Sequence, residues 1–246
     1  RATTATRINS SGLIEEMGIN VPRLEYPLID GVVNGCPSLL LEPQRTNSIT
    51  YSEDFSQWTN SGLTLNSNQA ISPDGTNNAS EIIGTGFLQE IISLTTSNDY
   101  VFSLFWKKNT SNKIKFLVSS TGVDEILEID TNNLSVISQV GIDNYSIDNY
   151  GNGWYRLAMI WNENNTEVSG VRLYADTTDA LSSLYIFGAQ LEEGSYPTSY
   201  IPTTTTAVTR SAETANGAGD ATTFNDSEGV LMAEIAFDSN DGSFKI

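Results

Sequence analysis

Between Phe87 and Leu191 the chain switches between apolar and polar residues with a period of two, and clusters of Asn, Asp, Ser, Thr and Gly interrupt it. A period of two marks a strand, whose successive side chains point to opposite faces of a sheet. The runs are FLQEIISL (87–94), YVFSLFWKK (100–108), KIKFLVSS (113–120), EILEID (125–130), LSVISQV (134–140), WYRLAMIW (154–161), EVSGVRLYA (167–175) and LSSLYIFGAQL (181–191). The segments TTSND, NTSN, STGVD, DTNN, DNYGNG, NENNT and DTTDA separate them as turns. Strands spaced by about 8–12 residues with such punctuation predict a sandwich or barrel, not a sheet crossed by helices. About eight strands over about 150 residues suit a jelly roll, in which two sheets share one core. The predicted fold is therefore all-β, a jelly-roll β-sandwich.

The flanks differ from this body. Residues 1–48 scatter apolar positions among turn residues, and Pro22 and Pro27 stop regular structure. They predict an extended lead-in of strands and loops that packs against the next domain or a neighbouring subunit. Within it, GLIEEM (12–17) suits one helical turn and LLLEPQRTN a short buried strand. Residues 49–202 make the sandwich module, which leaves through GAQLEEGSYPTSYIP, where Pro197 and Pro202 favour extended or turn geometry. Tyr196 and Tyr200 are expected to anchor that exit by packing. Residues 203–229, rich in Thr, Gly and Ala, predict a linker, and 230–246 the first strand of a following β domain or the completion of a sheet begun by the lead-in. With no initiator Met and a strand-like last run, the sequence is expected to be a segment of a longer polypeptide.

Composition narrows the function. With 30 acidic and 12 basic residues the formal net charge is −18, so the basic footprint that nucleic acid requires is missing, and an anionic membrane is equally unattractive. There is no run of about 18 apolar residues, hence no expected membrane insertion. Histidine is absent, which excludes Ser-His-Asp and Cys-His nucleophile systems and imidazole-based metal sites. Cys36, the only cysteine, is expected to be a small buried hydrophobe.

Three constellations remain. Glycoside hydrolysis needs only two carboxylates, and Glu15/Glu16, Glu53/Asp54, Asp124/Glu125/Glu128 and Glu192/Glu193 are candidates. Neighbours on a strand face opposite sides, however, and rarely share a cleft. Calcium is a second option: Glu53 and Asp54 with their loop carbonyls supply hard oxygen ligands, joined by Gln190 and Glu192 from the last strand, although no EF-hand loop occurs. The third set is aromatic. Tyr100, Phe102, Leu104 and Trp106 share one face of their strand, and Val101, Ser103, Phe105 and Lys107 the other, so the sequence leaves open which face is core. Sugar recognition typically combines a ring that stacks on pyranose C–H groups with a few polar side chains. Trp106, Trp161, Lys107 and Arg156 are the expected glycan-binding surface. GNGW (151–154) reads as a turn that opens a strand and is no dinucleotide fingerprint.

Taken together, YSEDFSQWTNSG (51–62), SPDGTNNA (72–79), YVFSLFWKK, GNGWYRLAM, YIFGAQLEEGSYPTSYIPT and TRSAE resemble a recurrent module of tailed-phage virion proteins, carried by tail fibres, tail spikes and head fibres. The resemblance covers about 49–203, and the lead-in is similar to the segment usually found upstream. It implies a carbohydrate-binding, galactose-binding-like jelly roll on the virion surface. The implied protein is non-catalytic and commonly a homotrimer, touching other virion proteins and host polysaccharide. It also implies calcium near Glu53 and Glu192. The competing expectation is a polysaccharide-degrading tail spike, or a carbohydrate-binding module attached to a glycosidase or lyase.

Overall fold

The computed structural model describes residues 1–119, 124–163 and 168–214. Among them the only helix is one 3-10 turn, Phe55–Gln57, capped by the Asp54 side chain; none is long and apolar enough to cross a membrane. The lead-in holds β1 (Ala5–Ile8), β2 (Ile14–Met17), β3 (Leu24–Glu25), β4 (Leu28–Ile29), β5 (Val32–Val33), β6 (Ser38–Leu39) and β7 (Arg45–Asn47). The sandwich follows with β8 (Thr59–Ser61), β9 (Thr64–Ala70), β10 (Ala79–Ile83), β11 (Phe87–Ser93), β12 (Asp99–Lys108) and β13 (Lys113–Ser119). Its second half is β14 (Glu125–Asp130), β15 (Val136–Val140), β16 (Asn144–Gly151), β17 (Trp154–Asn162), β18 (Val168–Tyr174) and β19 (Ser183–Glu193); β20 (Val208–Arg210) comes last.

Two six-stranded antiparallel sheets form the jelly roll. The first runs β16-β17-β12-β19-β10-β9 and the second β15-β14-β13-β18-β11-β8. Every run expected from periodicity falls on an observed strand. Alternate residues fill the space between the sheets: Phe102, Leu104 and Trp106 of β12, Leu157, Met159 and Trp161 of β17, Ile114, Phe116 and Val118 of β13, and Val171 and Leu173 of β18. Each such side chain contributes about 1.5–3 kcal/mol by leaving water.

The other face of the first sheet is also covered. Phe105, Phe187 and Trp154 on that face pack with Ile8 and Ile14 of the lead-in and Tyr200 of the exit segment. Phe105 meets Tyr150 and Tyr200 edge-on, with centroids 4.8 and 5.8 Å apart. Gly188 makes this fit possible. Its φ is +60°, and a Cβ there would lie 3.0 Å from Phe105 and 3.2 Å from Tyr200. The two parities of β12 are thus both apolar because both are buried, one between the sheets and one beneath the lead-in.

Several expectations need correction. Ile14–Met17 is a strand, not a helical turn. Asn9 Oδ1 accepts from the Ser11 and Leu13 amides at 2.9 and 3.1 Å, closing a hairpin that pairs β2 with β1. Of LLLEPQRTN, Leu39 and Leu41 are exposed; Leu39 ends the two-residue β6, and Arg45–Asn47 forms β7. Cys36 is exposed. DNYGNG is not wholly a turn, because β16 runs through it to Gly151. Val208–Arg210 lies in the expected linker but pairs with β7. The remainder of that linker, from 215, and the strand expected at 230–246 lie outside the described residues.

Candidate functional site

Ion pairs join the lead-in to the chain beyond the sandwich. The Glu42 carboxylate lies 2.8 Å from both Arg23 and Arg210 and accepts from Ser199 N and Oγ at 2.8 and 2.6 Å. Glu213 accepts from Arg23 Nε at 2.6 Å, Arg1 Nη1 at 3.0 Å and the Glu42 amide at 2.9 Å. Burial raises the Glu42 pKa, but Arg210 and Arg23 outweigh it and hold it below the ordinary value. The buried Asn47 adds to the clamp, donating to the Ala189 and Ile201 carbonyls and accepting from the Ile49 and Leu191 amides. This cluster fixes the cover over the first sheet.

The expected glycan platform does not reach the surface. Trp106 and Trp161 point between the sheets and are fully buried. Trp106 stacks on Tyr155 at 5.3 Å and Trp161 lies against Tyr100 at 6.0 Å. Arg156 is buried under the exit segment, where it donates to Thr198 O at 2.7 Å and Ser103 Oγ at 2.9 Å and lies over Phe105. Their strand parity put them on covered faces, because the lead-in closes the second one. Lys107 alone is half-buried, in a cleft of about 340 Å³ lined by Leu13, Ile71, Tyr150, Asn152 and Trp154.

Glu53 and Glu192, the expected calcium ligands, serve different partners. The Thr198 amide donates to Glu192 at 3.0 Å, and the Thr198 hydroxyl takes its other oxygen, so Glu192 is occupied. Glu53 accepts from Tyr200 Oη at 3.0 Å and from Asn78 Nδ2 at 3.5 Å. Burial raises its pKa, as does neighbouring Asp74. Asn78 also donates to Asp74 at 3.0 Å, while its own Oδ1 is buried without a partner. Glu53 and Asp74 thus share the Asn78 amide, and Glu192 lies apart with Thr198. No set of three or more acidic, His or Cys side chains able to hold a metal occurs among the described residues.

Among the described residues one large sheet face remains open, the outer face of the second sheet. Because Leu88, Phe116, Val118, Val171 and Leu173 point inward, Phe87, Gln89, Lys115, Arg172 and Tyr174 point outward. All five are half-buried. Strand pairing sets them in two rows. Lys115 stands opposite Tyr174, and Arg172 opposite both Gln89 and Leu117. The Phe87 and Tyr174 rings lie 5.4 Å apart at 50°. Arg172 sits 4.8 Å from the Phe87 centroid and Lys115 5.3 Å from that of Tyr174. The Arg172 Nε donates to Gln89 Oε1 at 3.1 Å. Gly170 leaves room for that amide, since a Cβ there would come within 2.2 Å of Gln89 Nε2.

The result is a pair of rings, Phe87 overlain by Arg172 and Tyr174 by Lys115, with the Gln89 amide beside them. Such a surface can stack a flat apolar ring face and hydrogen-bond its periphery. Residue type does not mark this surface in the sequence, because its rings are Phe and Tyr while the larger Trp rings are core. The signal was present in parity. In runs 113–119 and 168–174 the apolar parity is core, so the mixed parity, Lys115 with Arg172 and Tyr174, had to face out.

No protein-family model matches the chain, and no curated protein matches it. Among solved structures it is similar to the CBM22-1–GH10 modules of Clostridium thermocellum xylanase 10B, complexed with xylohexaose. That match has 13% identity over 65% of this chain and 30% of that one, at a TM-score of 0.42. Tailspike protein 4 of bacteriophage CBA120 (enzymatically active domain) matches with 10% identity over 60% and 21% of the two chains, at a TM-score of 0.39. TmCBM61, in complex with β-1,4-galactotriose, matches with 14% identity over 60% and 99%, at a TM-score of 0.35. The chain thus spans less than a third of the first two. Likeness at this level assigns no ligand.

Proposed function

We propose that this chain is a non-catalytic glycan-binding module and that the outer face of its second sheet is the binding surface. The observation that carries the reading is the Phe87–Tyr174 ring pair bordered by Arg172, Lys115 and Gln89, on the one broad sheet face that the lead-in leaves uncovered. A pyranose stacks its C–H face on the rings, and the polar groups meet its hydroxyls. A calcium ion at Glu53, Asp74 and Asn78 would supply no chemistry to the ligand; it would brace the loop that holds Tyr200.

The phrases shared with tailed-phage virion modules support a wider reading. The chain is a fibre or spike component exposed on the virion surface, where it assembles as a homotrimer with other virion proteins and host polysaccharide. Three copies would convert weak single-site affinity into avidity.

A glycan array followed by titration calorimetry tests the binding reading. Phe87→Ala and Tyr174→Ala should each weaken binding about tenfold with the melting temperature nearly unchanged, as loss of one stacking ring implies. Binding that both variants leave intact would remove this face from the proposal. Light scattering that finds the parent protein monomeric would remove the fibre assembly and leave the binding face untouched.

A further inference from the structure

Cations are scarce here, 12 against 30 carboxylates, and most arginines of the covered side already have acidic partners. Arg1 pairs with Glu213, Arg7 with Glu15, Arg23 with Glu42 and Glu213, and Arg210 with Glu42. On the open face the pattern changes. Of the four lysines among the described residues, Lys113 and Lys115 lie on β13 in the second sheet, whereas Lys107 and Lys108 end β12 in the first. Lys113 lies 3.7 Å from Glu128, and Asp130 stands opposite it. Lys115 and Arg172 form no ion pair among the described residues. They rest over Tyr174 and Phe87 instead. Glu128 stands opposite Lys115 in the ladder but makes its ion pair with Lys113.

A half-exposed cation over a ring gains only about 0.5–1 kcal/mol, so swinging off it to meet a carboxylate costs little. The arrangement of Arg172 is specific. Its Nε is held by Gln89 Oε1, and Gln89 lies flat across Gly170. Its Nη1 and Nη2 make no hydrogen bond among the described residues, which leaves a two-pronged fork of the shape that grips a carboxylate.

We propose, resting on the glycan-binding reading, that the ligand is an acidic polysaccharide. A pyranose carboxylate is gripped by the Arg172 fork, with Lys115 as the second charge and the Phe87–Tyr174 pair beneath the ring. Uronic and sialic acids share this chemistry. The −18 chain repels any polyanion at long range, so the attraction is local and acts at contact. Salt would screen both effects together, and removing the ligand's carboxylate isolates the local one.

The test uses polygalacturonate and polysialic acid, each alongside the same polymer with its carboxyls reduced to alcohols. Titrations use the full chain. The acidic form of one polymer should bind about tenfold or more tightly than its reduced form, as a charge-assisted bidentate contact implies, and that polymer identifies the source. Arg172→Gln should erase the difference, bringing the acidic polymer's affinity down to that of its reduced form in the same variant, with the melting temperature unchanged. Arg172→Lys should restore only part of it. Equal binding of acidic and reduced forms, or binding of neutral glycans alone, overturns the acidic class and leaves the glycan reading standing. If neither polymer nor any arrayed glycan binds, the glycan reading fails, and the acidic class with it. Acidic preference that survives Arg172→Gln places the charge recognition elsewhere and overturns the assignment.

Discussion

Glu125 is a carboxylate on the core side of β14. Burial raises its pKa from 4.5 to about 7, and Glu163 and Asp124 push the same way. In the unfolded chain it ionises near 4.5 and in the folded chain near 7, so the folded state holds the extra proton between those values. Stability therefore falls as pH rises through that window, and the loss is complete above it. Glu125→Gln removes the charge and keeps the shape. Its melting temperature should match the parent at about pH 4 and exceed it by at least about 2 °C at about pH 8. Parallel pH–stability curves for the two proteins would show that Glu125 titrates normally. The position carried no mark in the sequence, where Glu125 is one of thirty acids; only its parity on an alternating strand pointed inward.

At the scale of elements, the lead-in has little apolar core of its own. Ile19, Leu24, Ile29, Val32, Leu39 and Leu41 are exposed, and its order comes from Ile8 and Ile14 on the first sheet and from the Glu42 clamp. Glu42→Ala leaves Arg23 and Arg210 buried without that carboxylate, a loss of about 3–5 kcal/mol. The melting temperature should drop by roughly 6–20 °C, and limited proteolysis should then cut within residues 1–48 first. Uniform protection with an unchanged melting temperature would refute the clamp. The sandwich itself was legible because each run of the body announces its period. β9, with the run TLNSNQA, was not, because a polar edge strand has no apolar parity to display. The clamp was illegible too: Arg23, Glu42 and Arg210 are far apart in sequence, and nothing local marks them as partners. The candidate face was half legible, in parity but not in residue size.

For the whole molecule, calcium should report on the fold. If Glu53, Asp74 and Asn78 take the ion, calcium at about a hundred times its Kd should add about 2.7 kcal/mol. That is a melting-temperature rise of about 5 °C or more, absent in Glu53→Gln and insensitive to magnesium. A rise that persists in Glu53→Gln would place the ion elsewhere. The layers have a fixed order: lead-in and clamp, first sheet, shared core, second sheet, open face. Arg1 and Glu213 touch at 3.0 Å within the clamp, so the first residue and the end of the described exit segment are moored at one spot. That mooring lies on the covered side, and the ring pair with its two cations looks out from the other. A scaffold joined through both points would hold the module from its covered side, like a shield gripped at the back, with the ring pair turned away from it.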